Sequence, residues 1–116
     1  MQPTPRYAHS MTTIQELNCW YVFGGVLSGK GDRCNQLWKF DVIAKKWSLE
    51  SDERKDNKNS ESKYSNEILD IYPVGRSGHG MEYIPHEKTI IIFGGRKSKS
   101  ADGDLNDLWE FDLEQK

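Results

Sequence analysis

The chain repeats itself, and the repeat restricts its fold more than any other property. Displacing the sequence by 70 positions sets Pro3 on Pro73, Arg6 on Arg76, His9 on His79, Met11 on Met81 and Ile14 on Ile84, with Phe23-Gly24-Gly25 on Phe93-Gly94-Gly95. One more residue of offset sets Asn35 on Asn106, Leu37-Trp38 on Leu108-Trp109 and Phe40-Asp41 on Phe111-Asp112. That is 13 identities in 31 aligned positions, where composition alone gives about two. Each copy is therefore one supersecondary unit, and units of this kind bury their apolar faces by stacking on neighbours.

Within a unit the pattern predicts four short strands. The first covers residues 7–14. After a polar turn at 15–18 (85–88 in the second copy) comes Cys19-Trp20-Tyr21-Val22-Phe23, matched by Thr89-Ile90-Ile91-Ile92-Phe93. Such unbroken apolar runs are long enough for a strand buried on both faces and too short for a helix. A glycine pair, Gly24-Gly25 or Gly94-Gly95, is expected to end each run, because glycine accepts positive φ and lets other backbone come close. Mixed-polarity loops follow at residues 26–34 and 96–105. The third strand is Gln36-Leu37-Trp38-Lys39-Phe40, alternating with period two and ending at the turn former Asp41. Lys46-Trp47-Ser48-Leu49 closes the unit as a fourth strand, so that each copy reads as an antiparallel meander.

Pro-x-x-Arg-x-x-His, an apolar strand ending in Phe-Gly-Gly, then Leu-Trp-x-Phe-Asp and a Trp six residues later resembles the kelch repeat. Residues 1–49 carry the whole pattern, and residues 73–116 carry it up to the last strand, since the counterpart of Trp47 would fall at position 118. The resemblance implies an all-β fold of four-stranded antiparallel blades arranged as part of a β-propeller. Two units cannot close such a ring, so the expectation is a portion of a larger propeller, unable to fold cooperatively by itself. Leu108-Trp109-Glu110-Phe111 would form an edge to be completed by another strand. Between the copies, residues 50–72 read as an insertion. Its first 18 residues hold Tyr64 as their one apolar side chain, the composition of a solvated and flexible segment.

Side chains that invite a chemical reading recur in ways that favour architecture. Arg6-x-x-His9-Ser10 offers a base and a nucleophile, but Arg76-x-x-His79-Gly80 lacks the hydroxyl. The repeated pair is expected to be scaffold, with arginine held by carboxylate or carbonyl groups between blades and histidine hydrogen-bonded near the first strand. Trp38, Trp47 and Trp109 occupy strand positions suited to packing. Asp41 and Asp112 occupy equivalent turns and read as turn caps. The glycine pairs are followed by no helix, which argues against a phosphate-binding loop. His9, His79, His86, Cys19 and Cys34 show no metal-ligand spacing, so neither a metal nor a cofactor is indicated.

Four Trp, five Tyr and four Phe supply core material that a disordered chain lacks. A net charge of -2 gives no footprint for nucleic acid, and no apolar run approaches a membrane span or a secretory leader. Two cysteines suggest reduced thiols in the cytoplasm or nucleus. Strand alternation places loops 26–34 and 96–105 and the insertion on one face, where Lys30, Arg33, Arg96, Lys97 and Lys99 form a candidate partner surface. The resemblance implies a non-enzymatic scaffold or adaptor that binds proteins. The alternatives it leaves are the non-catalytic part of a propeller oxidase or sugar-processing enzyme, or a regulatory module phosphorylated at Ser51, Ser60, Ser62 or Ser65.

Overall fold

Short runs of alternating or wholly apolar residues, punctuated by turn formers, leave the backbone little choice but extended strands paired through their amides. In the computed structural model, which describes residues 1–29, 31–52, 72–100 and 102–114, the chain is all-β. A 3-10 turn at Gln15–Leu17 is the one helical element among the described residues. Lys30, Ser60, Ser62, Ser65, most of the insertion and Lys116 lie outside them.

The strands are β1 (Arg6–Tyr7), β2 (Ser10–Ile14), β3 (Cys19–Phe23), β4 (Val26–Leu27), β5 (Gln36–Asp41), β6 (Lys46–Asp52), β7 (Gly80–Ile84), β8 (Thr89–Arg96) and β9 (Asp104–Asp112). One antiparallel sheet has the order β2-β3-β5-β6, a second has β7-β8-β9, and β1 pairs with β4 in a small ribbon. Equivalent residues take equivalent registers. Ser10 faces Phe23 as Gly80 faces Phe93, and Trp38 faces Val22 as Trp109 faces Ile92. The turns match as well, for Asn18 and Lys88 both adopt left-handed backbone, at φ 52° and 55°. Their carbonyls accept hydrogen bonds from the amides of Val42 and Leu113.

Three boundaries differ from the sequence expectation. The first strand divides at Ala8, whose φ of 59° turns the chain between β1 and β2. The glycine pair ends β3, but β8 runs through Gly94 and Gly95 to Arg96. The cause is pairing: Gly95 and Arg96 lie opposite Leu105 and Asp104 of β9 across a bulge, whereas Val26 and Leu27 pair with β1 instead. Finally, β6 continues past Leu49, setting Ser51 against Leu37 and Asp52 against Gln36 across a second bulge.

The core lies between the two large sheets. Ile14, Cys19, Tyr21, Phe23 and Leu37 from the first meet Tyr83, Ile90 and Ile92 from the second, with Trp109 and Phe111 packed alongside. Repeat-related residues have opposite fates, because only one copy has a sheet on the relevant side. Phe23 is 0% exposed and Leu37 4%, while their counterparts Phe93 and Leu108 are 53% and 56% exposed. Phe23→Ala should therefore cost about 3–5 kcal/mol, and Phe93→Ala no more than about 0.5 kcal/mol. Hydrogen exchange across β3 and β8 measures the difference; equal losses of protection in the two variants would refute this account of the core.

Candidate functional site

The residues shared by the two copies gather where the chain enters each sheet. Arg76 is wholly buried and shares a two-pronged ion pair with Asp107, at 2.7 and 2.9 Å. It also donates to the carbonyl of Gly94 at 3.1 Å and, through Nε, to that of Val74 at 3.1 Å. Trp109 donates its indole N–H to the same carboxylate at 2.7 Å. The Arg76 guanidinium and the Trp109 indole hold the Asp107 carboxyl down at about 2.

The first copy repeats this arrangement with one substitution. Arg6 donates to the carbonyl of Gly24 at 3.4 Å and to Gln36 Oε1 at 3.3 Å, and Trp38 donates to Gln36 Oε1 at 3.1 Å. An amide oxygen thus stands where the second copy has a carboxylate. Arg6 also donates to Cys34 Sγ at 3.2 Å, and it is only half-buried.

Each guanidinium is satisfied by its own sheet rather than between sheets, a correction to the sequence expectation. The acceptors belong to the same unit: Gly24, Cys34 and Gln36 for Arg6, and Val74, Gly94 and Asp107 for Arg76, so each side chain turns toward its own sheet. What joins the sheets at Arg76 is its main chain: its carbonyl accepts from Gly25 N–H at 2.8 Å and its N–H donates to Cys34 O at 3.2 Å. This close approach explains Gly24, whose φ is +76°; a Cβ there would lie 2.7 Å from Arg76 O and 2.8 Å from His79 Cε1.

His79 completes the joint. It is buried, edge-on to Phe23 at 5.5 Å between ring centroids, and shares a hydrogen bond with Ser10 Oγ of the other sheet. Burial, reinforced by the Arg76 charge, pushes its imidazole down to about 4. In this position the ring packs on Phe23 and ties the second sheet to Ser10 of the first. His9, its counterpart, is exposed. Asp41 and Asp112 cap turns, accepting from the amides of Ile43 and Ala44 and from that of Glu114. Trp38 and Trp47 pack edge to face at 6.4 Å.

The loop face carries a different chemistry. Gly75 sits against the backbone of Arg33, and Asn35 donates to the carbonyl of Pro73 at 3.3 Å, so the segment leading into the second sheet lies beside the 26–34 loop. A cleft of about 320 Å³ opens there, lined by Leu27, Asp32, Arg33, Cys34, Val74, Gly75 and Lys97. Of the basic residues singled out from sequence, Arg33 and Lys97 meet in this cleft. Arg33 is braced by a hydrogen bond to Ser77 Oγ at 3.2 Å. Arg96 is engaged by Asp104 at 2.8 Å, and Lys99 is exposed on the loop without lining the cleft. Sequence reasoning missed Val74 and Leu27 here, and also a second cleft of about 290 Å³ between the sheets' outer edges. Each draws on segments far apart in the chain, which no local pattern reveals.

No family model matches the chain. It is 31% identical over 133 aligned positions to the negative regulator of sporulation MDS3 of Candida albicans. The alignment takes in the whole of this chain but 8% of that protein. The chain is thus an all-β, internally repeated segment distantly similar to a short part of a much longer regulator.

Arg76→Met should cost on the order of 3 kcal/mol, since it strands a carboxylate and two carbonyls, and Arg6→Met clearly less. Denaturant midpoints of the two variants test that order, and a larger loss from Arg6→Met would refute it. The titrating groups give a further expectation. Unfolded, His79 takes up a proton near 6.5, but folded only near 4, so stability is full above 6.5 and falls as pH drops toward 4. Asp107, held at about 2 against 3.8, extends the loss from about pH 4 downward. His79→Gln should flatten the upper part of this acid profile and Asp107→Asn the lower part, as followed by circular dichroism against pH.

Proposed function

We propose that the chain is a pair of kelch-type blades within a β-propeller of a longer protein, serving as a non-enzymatic protein-interaction scaffold. The observation that carries this reading is the joint between the sheets. The same Arg, Gly-Gly, acid-or-amide and Trp set is built twice, and the glycine of one copy is shaped to the arginine and histidine of the next. A joint of that kind can be repeated around a ring. The exposed Phe93 and Leu108, counterparts of buried core residues, support a further blade on that side. The distant similarity to part of a much longer protein, named as a negative regulator, supports an interaction or regulatory role. Both cysteines are buried free thiols, in keeping with a cytoplasmic or nuclear setting.

Recognition belongs on the loop face, where Arg33 and Lys97 line a predominantly polar cleft with Asp32. The opposite edge has only short turns, such as those holding Lys45 and Lys88. In the longer protein, Arg33→Glu with Lys97→Glu should slow partner association several-fold at low salt and leave dissociation nearly unchanged. Co-purification followed by kinetics on the recovered partner measures this. Loss of the partner in a Lys45→Glu, Lys88→Glu variant, with retention in the loop variant, would reverse the assignment.

A further inference from the structure

The connection from β8 to β9 crowds cations, hydroxyls and carboxylates into a few consecutive residues. Arg96, Lys97, Ser98, Lys99 and Ser100 come first, and Asp102 and Asp104 follow. Arg96, Lys97, Lys99 and Ser100 are all exposed. Measured from Ser100, the cations stand four, three and one residues earlier, and the acids lie on the other side. A cationic run before a hydroxyl suits the acidic substrate groove of a basophilic kinase, which selects its substrates by charge pattern.

The two hydroxyls of this loop differ in their surroundings. Ser98 is half-buried, and its Oγ is packed so closely on Gly103 that a Cβ there would stand 2.6 Å away. It accepts from Ser100 N–H at 3.3 Å, so it braces the loop from within. The exposed Ser100 hydroxyl donates to Asp102 Oδ1 at 2.7 Å and holds that carboxyl below its usual range. Ser51, by contrast, is half-buried in β6 and shares its hydrogen bond with the Tyr72 hydroxyl. Ser100 is thus the more accessible acceptor.

A receiver for the phosphate is already in place. The Arg96 guanidinium donates through Nε to Asp104 Oδ1 at 2.8 Å and through a terminal nitrogen to the Ser100 carbonyl at 3.0 Å. It therefore touches the residue that would carry the new group. Phosphate brings three strong acceptor oxygens and matches a guanidinium in two-pronged geometry. Residues 96–104 hold three cations and two carboxylates, a net of +1. One phosphate turns that to about -1.

We propose that Ser100 is a phosphorylation site for a basophilic kinase, and that Arg96 clamps the resulting phosphate. The γ-phosphorus of ATP bonds to Ser100 Oγ as its bond to the ADP oxygen breaks, and the hydroxyl proton passes to the base of the kinase. Asp102 loses the hydrogen bond it accepted and is repelled by the phosphate, while Arg96 exchanges Asp104 for it. The sign of the loop reverses. The site stands whether or not the loop face is the recognition surface, and its test needs no partner.

The full chain, incubated with labelled ATP and either the catalytic subunit of cyclic-AMP-dependent protein kinase or the catalytic domain of protein kinase C, should take up label at Ser100, as mapped by mass spectrometry. Ser100→Ala should remove that label, and Lys97→Glu with Lys99→Glu should slow labelling about tenfold. Phosphorus NMR of the phosphorylated chain then reads the clamp. Arg96→Gln should raise the second ionisation of the phosphate in the folded chain and leave it unchanged in concentrated urea. Label absent from Ser100 with both kinases, labelling indifferent to the Lys97 and Lys99 reversals, or an ionisation that Arg96→Gln does not move would each overturn the proposal.

Discussion

A guanidinium with no exposure to water must have its charge and its donors answered from within the protein, because burying it unmatched costs several kcal/mol. At Arg76 the answer is one carboxylate and two carbonyls, taken from the segment that leads into the second sheet, from β8 and from β9. Those partners can converge only if the chain enters between the sheets at one height and Gly94, within β8, points its carbonyl inward. The side chain therefore fixes the second sheet internally. With that done, the Arg76 main chain is left free to pair with Gly25 and Cys34 of the first sheet. Gly24 has no latitude to be anything larger, and His79 is delivered against Phe23 and Ser10. Fold and joint thus follow from one residue satisfied in two directions.

The two copies differ where that requirement is relaxed. Arg6 is half-buried, so water meets part of its demand and the amide of Gln36 suffices in place of a carboxylate. Arg76 is fully buried, and there a carboxylate is needed to neutralise it. Burial and acceptor charge vary together, as expected if the acceptor is matched to the desolvation of the cation. Trp38 and Trp109 are common to both because an indole N–H can donate to either kind of oxygen.

Much of this was legible in the sequence. The apolar runs Cys19–Phe23 and Thr89–Phe93 announced central strands, and Asp41 and Asp112 announced capped turns, because these are local matters of periodicity and of a side chain reaching its own backbone. The recurrence of Arg and Gly-Gly marked a shared structural role, whereas the recurrent histidines part ways, His9 exposed and His79 buried. What could not be read was direction. Nothing local says whether Arg76 turns to its own sheet or across to the next, since that depends on the distant Asp107. The unequal fates of Phe23 and Phe93 are equally invisible, for identical residues in identical strands differ only in which side has a neighbour. The clefts share this limit, as does the run of β8 past its glycines, which depends on pairing with Leu105 and Asp104.

The same asymmetry separates the surfaces by task. Joint residues are constrained from several sides at once, and a change at Gly24 or His79 is felt in both sheets. The loop face is held chiefly through backbone, as by Ser28 N–H to Pro5 O, Cys34 N–H to Gly25 O and Lys97 N–H to Gly103 O, with the Arg33 hydrogen bond to Ser77 and the Arg96 pair with Asp104 added by side chains. Side chains between those ties can vary without disturbing a strand. The surface of that face can therefore change at little structural cost.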